Sequence, residues 1–249
     1  MKKRFFIAIA SLVTTLNVAA QIHLTPYVGV NSTKLDVGYE YQNGGNYPFG
    51  GIDIEGRLKP KKISAVHLSL VTGASYLSNG FYQNSLFALT GLSYYSAQLT
   101  DLSTQYFQVP LVVRLNWQPF PLVEQFHIFF GTGLVSNTLL KAHLTEKSTK
   151  VIYSTDPFAP PQTTQSQDSQ DITSLGVKQS FYSRFELGFR FKRVQASYRL
   201  STSMGDMYFK GLENIWNVPD AASGYISGHN AAGSTTTKHS ELVIGFRIF

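Results

Sequence analysis

Residues 182–201, YSRFELGFRFKRVQASYRLS, place a polar or charged side chain at nearly every second position between phenylalanines, leucines and tyrosines. Period two marks a β-strand, because successive side chains of an extended chain point to opposite faces. The pattern occurs in eight segments. Residues 22–30 set Ile22, Leu24, Val28 and Val30 on one face, and 51–58 set Ile52, Ile54 and Leu58 against Asp53, Glu55 and Arg57. Residues 64–76 alternate Val66, Leu68 and Leu70 with His67 and Ser69. Residues 105–117 alternate Phe107, Val109, Leu111, Val113, Leu115 and Trp117 with Gln108, Arg114 and Asn116. Residues 126–137 carry Phe126, Ile128, Phe130 and Leu134 opposite His127. The quoted stretch supplies two strands: Phe181, Phe185, Leu187, Phe189 and Phe191 against Arg184, Glu186 and Arg190, then Val194, Ala196, Tyr198 and Leu200 against Gln195, Ser197 and Arg199. The last, 239–249, has Leu242, Ile244, Phe246 and Ile248 against Gly245 and Arg247. Each run reaches roughly the 9–11 residues that a tilted strand needs to cross a bilayer, 51–58 only marginally.

The connections alternate in length. KPKK (59–62), QPFPLVE (118–124) and Lys192-Arg193 are short, whereas 31–50, 77–104, 138–178 and 203–238 are long and rich in Ser, Thr, Asn, Gln and Gly. An even number of antiparallel strands joined in this way predicts an all-β fold, an eight-stranded up-and-down transmembrane β-barrel with short periplasmic turns and long outer loops. Backbone amides in hydrocarbon find no water, so a sheet survives there only when closed on itself. The phenylalanines then face lipid and the charges face a lumen. By parity that lumen receives Arg57, Arg114, Arg184, Arg190, Arg199 and Arg247 together with Asp53, Glu55, Glu186 and Glu241. Every inward cation is an arginine, whose planar fork holds carboxylates in paired hydrogen bonds and stays charged where water is scarce. Eight strands enclose a space just wide enough for side chains, so the expected lumen is filled and salt-bridged.

Composition sharpens this picture. Only 14% of the residues are charged and as many are aromatic, whereas a water-soluble domain carries about 25% charged residues. Met1–Ala20 has the three parts of an export signal: the cations Lys2, Lys3 and Arg4, the apolar run Phe5–Val13, and a small-residue end with Val18 and Ala20 at a cleavage site. The apolar run is too short for a helical span. The expected organisation is therefore a cleaved signal peptide over 1–20 and one outer-membrane barrel domain over 21–249. Cysteine is absent, which excludes both a disulfide scaffold and lipid attachment at a cysteine after the signal. The net charge of +6 includes the three leader cations, and the rest forms no single basic patch, which argues against nucleic acid. Lys59, Lys61, Lys62, Lys192 and Arg193 instead form a basic periplasmic rim suited to anionic headgroups.

Catalytic motifs are missing: there is no G-x-S-x-G, no Walker A and no G-x-G-x-x-G. His67 and His127 point into the lumen by parity and read as lumen filling. His229 and His239 lie in or near the last long loop with Asp206, Glu213 and Asp220, without the spacing of a metal site. No enzyme activity, cofactor or metal is expected. Pro110 inside a strand predicts a bulge or bend, and Trp117, Tyr198, Tyr27 and Phe126 near strand ends read as interfacial aromatics. The stretch 138–178, with Pro157, Pro160-Pro161 and TTQSQDSQD, is the longest without periodicity and reads as an outer loop.

FQVPLVVRLNW (107–117), GLVSN (133–137), ELGFRFKRVQASYRLS (186–201) and the ending ELVIGFRIF (241–249) resemble the PorT-like outer-membrane β-barrel proteins of Bacteroidetes, as does Gln21 after VAA. The resemblance covers the whole mature chain. It implies an eight-stranded barrel with a lumen closed by side chains and, from one branch of the family, a role in secretion across the outer membrane. Phe249 stands where a terminal aromatic is read by the insertion machinery in similar proteins, but Ile248 takes the lipid face beside Phe246. The expected function is a monomeric outer-membrane scaffold for surface loops, with a secretion-accessory or adhesion role. Its partners would be outer-membrane lipid, the barrel-insertion machinery, and a protein at the outer loops or periplasmic rim. The alternatives are a lipid-modifying hydrolase and a soluble lipocalin-like binder, which would need apolar residues inside and charges outside.

Overall fold

The computed structural model describes residues 20–36, 41–58, 65–89, 94–120, 125–152, 160–205 and 236–248. The leader, the KPKK turn, and the histidine and acids between 206 and 235 lie outside them. The strands are β1 (Ala20–Asp36), β2 (Tyr41–Leu58), β3 (Val66–Leu89), β4 (Tyr94–Trp117), β5 (Phe126–Ile152), β6 (Gln162–Asp171), β7 (Gln179–Phe191), β8 (Val194–Ser203) and β9 (Thr236–Phe246). All pairings are antiparallel, in the order β4-β3-β2-β1-β9-β8-β7-β5, and β4 also pairs with β5. These eight strands therefore close into a barrel. β6 is an addition outside the ring, paired along His143–Ile152 of β5, above the point where β7 ends.

The wall changes character partway up. On β4 the outward residues Phe107, Val109, Leu111, Val113, Leu115 and Trp117 are 39–51% exposed, while Gln108, Arg114 and Asn116 between them are buried. Before residue 107 the same outward face carries Asp101, Ser103 and Gln105, and the inward face carries Leu102, Thr104 and Tyr106. The strand keeps one inward parity throughout, so it is the chemistry of the two faces that inverts. Below the inversion lies an apolar belt with a polar interior; above it lies an ordinary apolar core with a polar exterior. Phe107 to Trp117, at about 3.4 Å per residue and a tilt of about 40°, gives a belt about 26 Å high, close to the ~25 Å apolar band of membrane barrels. The upper core packs Phe49, Leu77, Phe81, Leu102, Tyr106 and Leu144 inside the barrel mouth. Ile172, just after β6, drops into it and donates its N–H to the Ala142 carbonyl (3.0 Å). Next to it, hydrogen bonds from the hydroxyl and N–H of Thr173 hold the exposed Asp171 carboxyl below the usual range.

Three expectations need correction. Three of the four long connections are largely strand where they are described: β1 and β2 approach each other to Asp36 and Tyr41, β3 and β4 to Leu89 and Tyr94, and 138–178 contains the upper half of β5 and all of β6; the fourth, 203–238, lies mostly outside the described residues. In these segments the outward positions are mostly polar and the apolar residues, such as Leu77, Phe81, Leu102 and Tyr106, turn inward among polar ones, so the belt's pattern of apolar outward residues is lost; every residue of β6 is exposed. Pro110 causes no bulge. The β3–β4 register is the same on both sides of it, and the ladder skips Gly73 and Ala74 opposite Pro110 and Val109, where the proline has no N–H to donate. The register shifts occur instead at Ser32/Lys34 and at Gln105/Tyr106, where Leu140 is the extra residue on β5. Tyr27 is no interfacial aromatic: it is 5% exposed, points inward and packs edge-on against Phe49. Trp117 and Tyr198 do face outward. Two glycines open the lumen. A Cβ on Gly131 would lie 2.5 Å from Cγ of Glu186, and one on Gly188 would lie 2.3 Å from Cζ of Phe129.

Candidate functional site

Strand parity sends all ten charges assigned from sequence into one lumen, because each alternates with an outward apolar residue on β2, β4, β7, β8 and β9. Glu186 accepts from Nε of Arg114 at 2.6 Å, and Arg199 Nε lies 3.6 Å from its other oxygen. Asp53 accepts from Nη2 of Arg199 at 2.5 Å, with Arg114 Nη2 at 3.7 Å. Glu55 takes Arg190 Nη2 at 2.6 Å, Arg247 Nη2 at 2.9 Å and Arg114 Nη1 at 3.4 Å on one oxygen; Arg57 Nε lies 3.7 Å from the other. Higher in the lumen, Arg184 pairs separately with Glu241 at 2.8 Å and also donates to the Ser201 hydroxyl. Eight of the ten therefore form one continuous cluster around Asp53, Glu55 and Glu186, and Arg184 and Glu241 make a separate upper pair.

Several participants carry no charge signal in the sequence. Phe129, 0% exposed, lies among the arginines, with the Arg114 guanidinium 4.3 Å and that of Arg190 5.8 Å from its ring centre. The Arg199 guanidinium sits 4.4 Å from the Tyr27 ring. Flat guanidinium groups stack on aromatic faces, which relieves part of the cost of burying them. Asn116 bridges Ser69 (2.8 Å) and Glu55 (3.4 Å). At the upper end Asn31 donates to Asn79 (2.6 Å), and Thr33 contacts His239 Nδ1 at 3.3 Å. His239 is fully buried against Tyr182, with ring centres 4.9 Å apart, so it is a lumen residue and not part of a loop site. His67 and His127 lie edge to face at 6.0 Å near the end that carries the Lys192-Arg193 turn. Lys192 holds a left-handed backbone (φ 53°) in that turn.

Chemically this arrangement is a packed ionic interior. Each arginine contacts at least one of the four carboxylates, and the rings of Tyr27 and Phe129 pack against the guanidinium groups. Planar bilayers containing the refolded barrel are expected to show no stable large conductance; a steady multi-nanosiemens pore would contradict a packed lumen. Among the described residues no group of three or more His, Asp or Glu is arranged to hold a metal ion.

Wall, belt and lumen together define the class: a closed eight-stranded antiparallel β-barrel, apolar outside and charged within. No protein-family model matches the chain, and no curated protein matches it. Among solved structures it is similar to Ail, the attachment invasion locus protein of Yersinia pestis, with a TM-score of 0.34 and 10% identity over 91% of this chain and 98% of that one. A second structure of that protein, in complex with the heparin analogue sucrose octasulfate, matches with a TM-score of 0.34 and 8% identity over 92% of this chain and 99% of the other.

Proposed function

We propose that this chain is an integral outer-membrane β-barrel whose filled lumen makes it a rigid scaffold rather than a pore, with residues 1–20 removed as an export signal. One observation carries the reading: at residues 106–107 of β4 the apolar side chains pass from the inside of the wall to the outside. A soluble barrel has no use for an apolar belt of bilayer height. In this orientation the Lys192-Arg193 turn faces the periplasm, and the upper halves of β3, β4 and β5, with β6, stand beyond the membrane as the surface available to a partner. A PorT-like secretion-accessory role rests on the sequence stretches that resemble that family, and an adhesion role on the projecting sheet. The test is gel mobility of the refolded mature chain. Unboiled protein is expected to run faster than boiled protein, as a closed, detergent-resistant barrel does. Identical mobility, together with release of the native protein from membranes by carbonate, would overturn the reading.

A lipid-modifying hydrolase draws on one contact: His143 Nε2 lies 2.7 Å from the Ser169 hydroxyl across β5 and β6. His143 Nδ1 has no hydrogen-bond partner, so the third group that would orient the base is absent from this pair. If His143→Ala leaves lipid A unchanged by mass spectrometry, this second reading falls.

A further inference from the structure

The lumen charges do not balance locally. Glu241 serves Arg184, and Asp53 and Glu186 serve Arg114 and Arg199. That leaves Glu55 as the one described carboxylate in contact with Arg57, Arg190 and Arg247. All three lie at the end of the barrel that carries the Lys192-Arg193 turn. Arg190 is 1% exposed, yet its Nε and Nη1 have no hydrogen-bond partner, and neither do Arg57 Nε and Nη2 or Arg247 Nε. His67 Nε2 and His127 Nδ1 beside them are also unpartnered. Guanidinium N–H groups can only donate, so this end of the lumen presents several buried donors and an excess of positive charge. A neutral acceptor would satisfy the donors without the charge, and an uncompensated buried cation is costly. The site is not sealed: the side chains of Arg57 and Arg247, which share Glu55 with Arg190, are 18% and 11% exposed.

We infer that Arg57, Arg190 and Arg247, with His67 and His127, form an anion-binding site at the turn end of the lumen for a phosphate-class oxyanion, either free phosphate or the headgroup of an anionic phospholipid. Forked guanidinium donors converging from β2, β7 and the residue that follows β9 suit a group with several acceptor oxygens better than a spherical ion such as chloride. Glu55 occupies the centre of the same donors and competes with the ligand.

The test follows the thermal midpoint of the refolded mature chain by circular dichroism, at fixed ionic strength, as chloride is exchanged for inorganic phosphate in zwitterionic detergent. In parallel, the midpoint is measured in phosphatidylcholine vesicles with and without phosphatidylglycerol. A saturable rise with phosphate assigns a free oxyanion, and a rise with phosphatidylglycerol alone assigns a headgroup. The rise is expected to vanish in the double variant Arg57→Gln/Arg247→Gln. Glu55→Gln is expected to bind phosphate at least about tenfold more tightly, because an internal competitor worth one charge-assisted contact is gone. If the wild-type midpoint is the same in phosphate and chloride and indifferent to phosphatidylglycerol, the site does not exist. A rise that persists unchanged in the double variant places the anion elsewhere and overturns the assignment equally. Neither wild-type arm requires a variant to fold.

Discussion

Glu186→Gln is expected to lower the unfolding free energy of the refolded barrel by about 3–5 kcal/mol, the scale on which breaking a buried ion pair by removing one partner destabilises a protein. Glu186 is 2% exposed and sits between Arg114 and Arg199, each 1% exposed, so no solvent is at hand to take over its role. Arg114 would lose the charged partner at 2.6 Å, and its remaining carboxylate contacts would be those of 3.4 and 3.7 Å to Glu55 and Asp53. Glutamine matches the shape, which isolates the charge. Urea unfolding in lipid vesicles, followed by tryptophan fluorescence, measures the effect. The Arg184–Glu241 pair supplies the contrast: Glu241→Gln alone strands Arg184, whereas Glu241→Gln with Arg184→Met removes both charges and is expected to cost less than the single change. A loss below about 1 kcal/mol for Glu186→Gln would mean that the carboxylate is not holding the cluster together.

Leu187→Lys tests the other face of the same strand. Leu187 is 44% exposed on the outside of β7, between Phe185 at 53% and Phe189 at 50%. If that face meets hydrocarbon, a lysine there is expected to cost about 2–4 kcal/mol, as a cation does near the bilayer midplane of a membrane barrel. In water the same change would be nearly neutral, within about 0.5 kcal/mol. Ser103→Lys is the control, since Ser103 lies on the outward face of β4 above the inversion. Unfolding in vesicles should show a large loss for the first variant and almost none for the second. Equal small effects would remove the lipid from the account of the belt.

The eight-strand pattern and the identity of the lumen charges were legible in the sequence because one requirement wrote both. In the belt each outward position must be apolar and each inward one can be polar, so parity alone assigns Arg114, Glu186 or Arg199 to the lumen. Above the belt that requirement lapses. Leu77, Phe81, Leu102 and Tyr106 then become the inward residues, and a parity rule taken from the belt reads the segment as loop. β6, QTTQSQDSQD, offers no apolar residue at all, and only backbone pairing with β5 makes it a strand.

Local order along the chain therefore determined which residues share a face, and with the aromatic load it determined that the faces were inside out. It could not say which charges meet. Glu55 and Arg247 are 192 positions apart, and closure of the barrel brings Arg247 to 2.9 Å. Asp53 and Arg199 are joined across 146 positions in the same way. Register across the ring, the glycines that let Glu186 and Phe129 fit, and the gathering of three arginines on one carboxylate are properties of the closed sheet. Side-chain alternation is a local consequence of extended backbone geometry, whereas pairing across a lumen depends on strand stagger that no single segment contains.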